Sequence, residues 1–339
     1  MKKHHITRAR AIFYLVTFTA IIVVFLKFAE LRRIEDILLG SNLYYLPIIL
    51  AIQLVSFFVE SLNYRDVLLI KGLRVRVMEL FPITYVILFI SQALPTAGLS
   101  GQVFFIYYLK KFGFSIAEGI GRVILELSTL YLAYAMYFVT ATVLIFSTGI
   151  ARSEPKIIYF IFAFLVFVLI CTAIFLLSQK GRRTAWASWV LARIGRAVPM
   201  DGAVEMIADQ FKQTLNIKFL RAHSRRFWQA TFWQAANLFT HVLTLYIISY
   251  ALGSPIPFVP CFIAFTFSKF LSMVSIVPGA PGVFEASMTL ILNGFGIPVA
   301  DALAATLLTR AFTFWLPMPI GWMLYNYYTK LWSKNEPVA

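Results

Sequence analysis

The sequence predicts an all-α polytopic membrane protein. It has about six transmembrane helices, two re-entrant helical hairpins and an inverted internal repeat. Three observations carry this expectation. Of 339 residues, 60% are hydrophobic and 13% charged, whereas soluble domains are about half apolar and a quarter charged. Six continuous apolar runs each reach the length of a crossing, roughly 20 residues. Two further apolar regions are interrupted by proline and glycine, and lipid cannot satisfy a broken backbone. A soluble single domain and a disordered chain are both excluded, the latter because disorder needs low hydrophobicity.

The elements follow in order. The run 11–28 ends in Lys27 and Glu30, with no small-residue cleavage site, so it reads as a span and not as a removed leader. The run 43–62 is the second span. Region 79–109 breaks at "ALPTAGLSG", and its second stretch, 99–109, has 11 residues. That is short for a crossing and suits a hairpin that enters and returns on one side. Spans at 120–149 and 157–178 come next. The loop 179–227 is basic. Within it Val204, Ile207, Phe211 and Leu215 recur at helical spacing, as do Trp186, Trp189, Val190 and Ile194. These predict amphipathic helices on the inner-leaflet surface. A span at 228–252 precedes region 257–295, broken at "IVPGAPGVFE", whose second stretch, 283–295, has 13 residues. The last span is 300–327. The chain divides into a first repeat half, 1–156, and a second, 157–339.

Charge sets the orientation. With cytoplasmic termini and six crossings, 22 Lys and Arg fall inside and 5 outside. Arg122, Lys269 and Arg310 remain within apolar runs. This is the positive-inside bias, and it accounts for the net charge of +15 without nucleic acid. The expected location is the cell (inner or plasma) membrane.

The repeat shows on aligning Pro95 with Pro278, an offset of 183 residues. Ala97, Leu109, Phe112, Gly113, Ala117 and Leu125 then meet identical residues, and Glu118 meets Asp301. Three full crossings separate the copies, so they would have opposite orientations. Secondary transporters are often built this way, with broken helices meeting at a midplane site.

Charged groups inside apolar runs are costly and mark functional candidates. They are Glu60, Arg122, Glu126, Lys269, Glu285 and Arg310. Arg122 and Glu126 lie four apart and can pair on one helix face, either as a self-neutralised structural pair or as a functional one. Glu60 lies near Arg65 and reads as interfacial. Glu285 follows the Pro278–Gly282 break at the start of a short helix. It can serve as a cap, while the same helix end offers backbone N–H groups to an anion. Arg310 has no acid three or four residues away, and Glu285 is its candidate partner. Lys269 can face the same cavity. Arg310, Lys269 and the N–H groups after Gly98 and Gly282 would make a positive pocket for an anionic headgroup.

Enzyme signatures are absent from the sequence: no HExxH, GxSxG, P-loop or CxxC. Cys171 and Cys261 sit inside apolar runs and imply no disulfide or zinc site. His4, His5 and His223 lie outside the spans, and His241 reads as a packing residue. The expectation is a protein that is not an enzyme, with no cofactor and no metal.

The segment "VPGAPGVFEASM" (277–288) with "ALAATLLTRAFTFWLPMPIG" (302–321) resembles the lysylphosphatidylglycerol synthase transmembrane-region family, also called the flippase-like or UPF0104 family. Its second half typically reads Pro-Gly-Gly-x-Gly-x-x-Glu, then a helix with Arg followed by Pro and Gly. Pro278, Gly279, Gly282, Glu285, Arg310, Pro317 and Gly321 hold those places. Ala280-Pro281 departs from the glycine-containing break. The first block, 94–126, resembles the family's first block, with Gln102 at a usually charged or polar place and Arg122 and Glu126 placed differently. The resemblance implies a protein whose relatives move lipids between leaflets. In the best-known relatives this region is fused to an aminoacyl-transferase. The expectation here is a stand-alone member without that activity.

The function expected is a flippase for an anionic, phosphate-bearing lipid, either a phospholipid or a polyprenyl-phosphate-linked one. The candidate binding residues are Arg310, Glu285, Lys269, Gly279, Gly282, Gly98, Arg122 and Glu126. Two alternatives stay open. One is a lipid-modifying enzyme with Glu285 or Glu126 as general base. The other is an accessory subunit that recruits a lipid or glycolipid synthase through the basic loop.

Overall fold

A computed structural model of the chain describes residues 40–93, 99–147, 203–274, 280 and 282–334. The expected spans 11–28 and 157–178, and the helical pattern around Trp186, lie outside the described residues. Within them the chain is helical, with no strand. A 3₁₀ turn at Leu43–Tyr45 leads into α1 (Leu46–Ile70). Then come α2 (Val77–Ala93), α3 (Leu99–Lys110) and α4 (Ile116–Ser147). Beyond the central loop lie α5 (Ala203–Thr214), α6 (Ile217–Ala222), α7 (Ser224–Ala251), α8 (Phe258–Val274) and α9 (Val283–Gly294). A π-helical turn, Ala311–Trp315, joins α10 (Val299–Arg310) to α11 (Pro317–Lys334).

Among the described residues, three helical stretches are long and apolar enough to cross a membrane: Leu43–Ile70, Ile116–Ser147 and Val299–Leu331. Their outer faces are apolar. Leu54, Phe58, Val139, Val143, Trp322 and Met323 are all exposed, an arrangement that suits lipid as the solvent. The fourth long helix, α7, is more polar and forms the most extensive helix pair with α1.

α1 and α7 run antiparallel. At one end the Asn42 N–H donates to the Ala251 carbonyl at 2.7 Å. At the other, Arg226 Nη1 meets Asp66 Oδ1 at 3.2 Å. Between these ends runs a polar seam. Gln53 Nε2 donates to Thr244 Oγ1 (2.7 Å), Asn237 Nδ2 to Glu60 Oε2 (2.7 Å) and Trp233 Nε1 to Asp66 Oδ2 (2.9 Å). A polar group at membrane depth must find its partner within the protein, so each of these bonds fixes the register of the pair.

Two of the three apolar cores among the described residues flank this seam. The larger joins α4, α7, α8, α9 and α10 through Phe138, Val242, Leu245, Phe262, Phe267, Phe284 and Met288. Alanines at 300, 302, 304 and 305 are buried on α10 and let its neighbours approach closely. The smaller core joins α1, α2 and α3 through Tyr64, Leu68, Leu80, Ile83, Phe105 and Leu109. Close approach also explains two glycines. A Cβ on Gly101 of α3 would strike Ser91 Oγ and the Ile87 carbonyl of α2. One on Gly321 of α11 would strike the Tyr85 carbonyl and Phe89.

The order long helix, short helix, break, short helix, long helix occurs twice. An offset of 183 residues carries α3 to 282–293 and α4 to 299–330, against the observed α9 and α10–α11. It carries α1 and α2 to within five residues of α7 and α8 at every boundary. The turn glycines Gly113 and Gly296, aligned by the same offset, share a left-handed conformation with φ of 82° and 84°. In each half the two short helices pack against each other across the break.

Candidate functional site

The break between α8 and α9 builds one of two polar clusters. The chain reaches α9 through Ala280, at φ 46°, and Gly282, at φ 84°. Gly282 is the N-cap of α9, and Glu285 sits in its first turn. Glu285 uses both oxygens. Oε2 accepts the Gly282 N–H at 2.7 Å, and Oε1 accepts Arg310 Nε at 2.8 Å. The capping role and the pairing role read from the sequence are therefore held by one side chain at once. The first backbone N–H of this helix end already serves Glu285, so an anion docking there must share or displace that carboxylate.

Arg310 closes α10. Its guanidinium carbon lies 4.2 Å from the Phe314 ring centroid and 5.0 Å from that of Phe284, within cation–π range. The π-turn begins at the next residue. Pro317 has no N–H to give the Thr313 carbonyl in α-helical register, and the chain widens so that the Leu316 N–H reaches the Ala311 carbonyl at 2.8 Å. Such turns are frequent at functional sites. Lys269 on α8 lies within electrostatic reach of Arg310, with no carboxylate within ion-pair distance among the described residues. The cluster thus holds two cations and one carboxylate. His241 of α7 stacks on Phe265 at 5.9 Å. It packs as expected, but its Nδ1 has no hydrogen-bond partner among the described residues.

The first half has a counterpart. Gln102 on α3, aligned with Glu285 by the offset, donates from Nε2 to Glu126 Oε1 of α4 at 2.8 Å. Each short second helix is therefore tied to the next long helix by a polar bond of the same length. Arg122 and Glu126 do not form the direct ion pair that their spacing allowed. Arg122 is 1% exposed and lies over the rings of Phe105 (3.9 Å) and Tyr64 (5.2 Å). None of its guanidinium nitrogens has a hydrogen-bond partner among the described residues. Aromatic faces have taken the arginine out of the helix-surface geometry that an i, i+4 pair needs. Glu60 also differs from its interfacial reading. It bonds Asn237, while Arg65 turns to Asp66 at 3.0 Å.

Of the residues predicted for the site, the structure brings Glu285, Arg310, Lys269 and Gly282 together. It places Arg122 and Glu126 in the second cluster. Gly98 and Gly279 lie outside the described residues. Sequence reasoning missed Asn237, Asn63, Tyr64 and Asp66. Asp66, at 1% exposure, had a signal: an acid beside Arg65 at the end of an apolar run. The amides had none, because a lone Asn in a span looks like any small polar residue.

The sequence profile of the lysylphosphatidylglycerol synthase TM region matches residues 12–321. The chain belongs to that family. The match spans both breaks and every residue of the two clusters, and membership makes the protein a membrane protein. Among family relatives, a UPF0104 membrane protein of Pyrococcus horikoshii is 23% identical over 325 residues, covering 90% of this chain and 93% of the relative. A UPF0104 membrane protein of Methanocaldococcus jannaschii is 23% identical over 331 residues, covering 95% and 96%. No solved structure matches the chain. Ala280 is the one described non-glycine residue at positive φ. The backbone keeps a glycine-like turn there without the glycine.

Proposed function

We propose that this protein carries an anionic, phosphate-bearing lipid between leaflets through a cavity between its two broken hairpins. The observation that carries the reading is the Arg310–Glu285 pair, 2.8 Å long with side chains 8% and 17% exposed, beside Lys269. An excess positive charge in the apolar interior is costly, and an anionic headgroup relieves it. Arg310 and Lys269 hold the phosphate, with the backbone N–H groups at the start of α9 beside Gly282. Glu285 holds Arg310 in place until the headgroup takes over. Arg122 and Glu126 supply the matching polar layer in the first half.

The architecture we propose is an inverted repeat of six crossings and two re-entrant hairpins, with both termini cytoplasmic, in the cell membrane. Support comes from α1 and α7. They are equivalent under the 183-residue offset and they run antiparallel, as copies of opposite orientation must. Access alternates by rocking one half against the other. In this reading the protein is a transporter and performs no chemistry on the lipid.

Native mass spectrometry with lipid analysis tests the reading on the full chain, wild type beside Arg310→Ala and Arg310→Lys. The expected result is one anionic lipid species retained by wild type, partly by the lysine variant, and lost from the alanine variant. Bulk lipids in bulk proportions, unchanged by either substitution, would overturn it.

A further inference from the structure

The first-half cluster has the opposite charge balance to the lipid pocket. Glu60 from α1, with Arg122 and Glu126 from α4, act on one another electrostatically. That is two carboxyls against one guanidinium. The other titratable groups near them are Tyr64, which faces all three, and Tyr134, which faces Glu60. α3 and α7 contribute the amides Gln102 and Asn237 and no charge among the described residues. Gln102 donates to Glu126 and Asn237 to Glu60, and among the described residues Arg122 forms no ion pair with either carboxyl.

A second observation points to an occupant. Buried polar atoms of both kinds lack partners here. Donors are the three Arg122 nitrogens and Asn63 Nδ2. Acceptors are Glu126 Oε2, Gln102 Oε1 and Asn63 Oδ1. Arg122 is 1% exposed and Asn63 is fully buried. Buried polar groups without partners call for an explanation, and water is the occupant that serves donors and acceptors together. The result is a polar chamber inside an apolar bundle, one positive charge short of neutrality.

We propose that this chamber is a proton-binding site, in which Glu60 and Glu126 share one proton. The guanidinium in the same chamber favours a proton over an alkali-metal ion, because a proton sits on the carboxyl oxygen and needs no shell of oxygen ligands around it. Uptake forms one O–H bond on a carboxylate and neutralises the chamber, and release restores the carboxylate. The two halves then bind ions of opposite sign, a proton in the first and an anionic headgroup in the second. This supplies a coupling ion for a transporter whose sequence has no nucleotide-binding motif.

The test is infrared spectroscopy of the full-length protein carrying carboxyl-labelled glutamate, in an ester-free detergent at about pH 7. The carbonyl stretch of a protonated carboxyl separates from that of a carboxylate, and the label separates glutamate from aspartate. Wild type should show one protonated glutamate per chain. The band should disappear in Glu60→Gln and in Glu126→Gln and persist in Glu79→Gln, a change at an exposed position. No protonated glutamate in wild type would overturn the proposal, whatever the variants do. A band that survives both cluster substitutions, or is abolished by sodium ions at constant pH, would overturn it too. The measurement reads no lipid, so it stands or falls apart from the transport reading.

Discussion

Removing Glu285 should destabilise the protein more than removing Arg310, although the two form a single ion pair. Glu285 has two jobs, pairing with Arg310 at 2.8 Å and capping α9 through Gly282 N–H at 2.7 Å. Breaking a buried pair from one side costs about 3–5 kcal/mol, and losing an N-terminal cap costs about 1 kcal/mol. Glu285→Ala therefore costs roughly 4–6 kcal/mol. It also leaves Arg310 and Lys269 facing each other without their acid. Arg310→Ala leaves Glu285 capped by the Gly282 N–H. Its cost is that of breaking the pair from one side, about 3–5 kcal/mol, without the loss of the cap. The double substitution leaves no unpaired Arg310, so it should cost less than the sum of the singles by about 2 kcal/mol. Equilibrium unfolding in mixed micelles, followed by tryptophan fluorescence, reads all four corners of the cycle. Strict additivity, or a larger loss for Arg310→Ala, would refute the two-job account of Glu285.

Two further outcomes follow from the backbone. Ala280 holds φ 46° and is 2% exposed. The left-handed conformation costs a non-glycine residue roughly 1–2 kcal/mol, partly offset by the greater freedom of glycine when unfolded. Ala280→Gly should raise the midpoint of thermal unfolding, and a lowered midpoint would count against the described turn. Gly321→Ala forces a methyl group against the Tyr85 carbonyl and Phe89, and overpacking of this kind costs about 1–3 kcal/mol. Gly294→Ala, which meets nothing within 4 Å, is the control. Equal losses for the two would remove the close approach of α11 to α2.

The helical hairpins were legible because proline and glycine leave marks that apolar neighbours cannot hide. The described helices end and begin around both motifs, α2 at Ala93 and α3 at Leu99, α8 at Val274 and α9 at Val283, and the 11-residue reading of 99–109 lies close to the observed Leu99–Lys110. The Arg310–Glu285 partnership was legible because an arginine without a local acid must look to another helix. Arg122 was harder. The i, i+4 spacing to Glu126 offered a local partner, but rings from Phe105 and Tyr64 occupy the guanidinium face. Those residues lie 17 and 58 positions away in sequence, and no periodicity links them. The seam between α1 and α7 was illegible for the same reason. Gln53 and Thr244 are 191 residues apart, and only the fold makes them neighbours.

The widened turn after Arg310 has a mechanical consequence. It holds one residue more than the helix on either side of it, like a dislocation in a crystal. A dislocation can glide. If the extra residue is handed on by one position, the segment it passes turns by about 100°, the angle of one residue in an α-helix, while the ends of the helix stay where they are. Pro317 pins the far side, where no N–H is available to close the ladder. The free direction of glide runs back through Ala311 toward Arg310. A helix with this flaw can turn its arginine about the axis without unwinding, which a flawless helix of the same length cannot do.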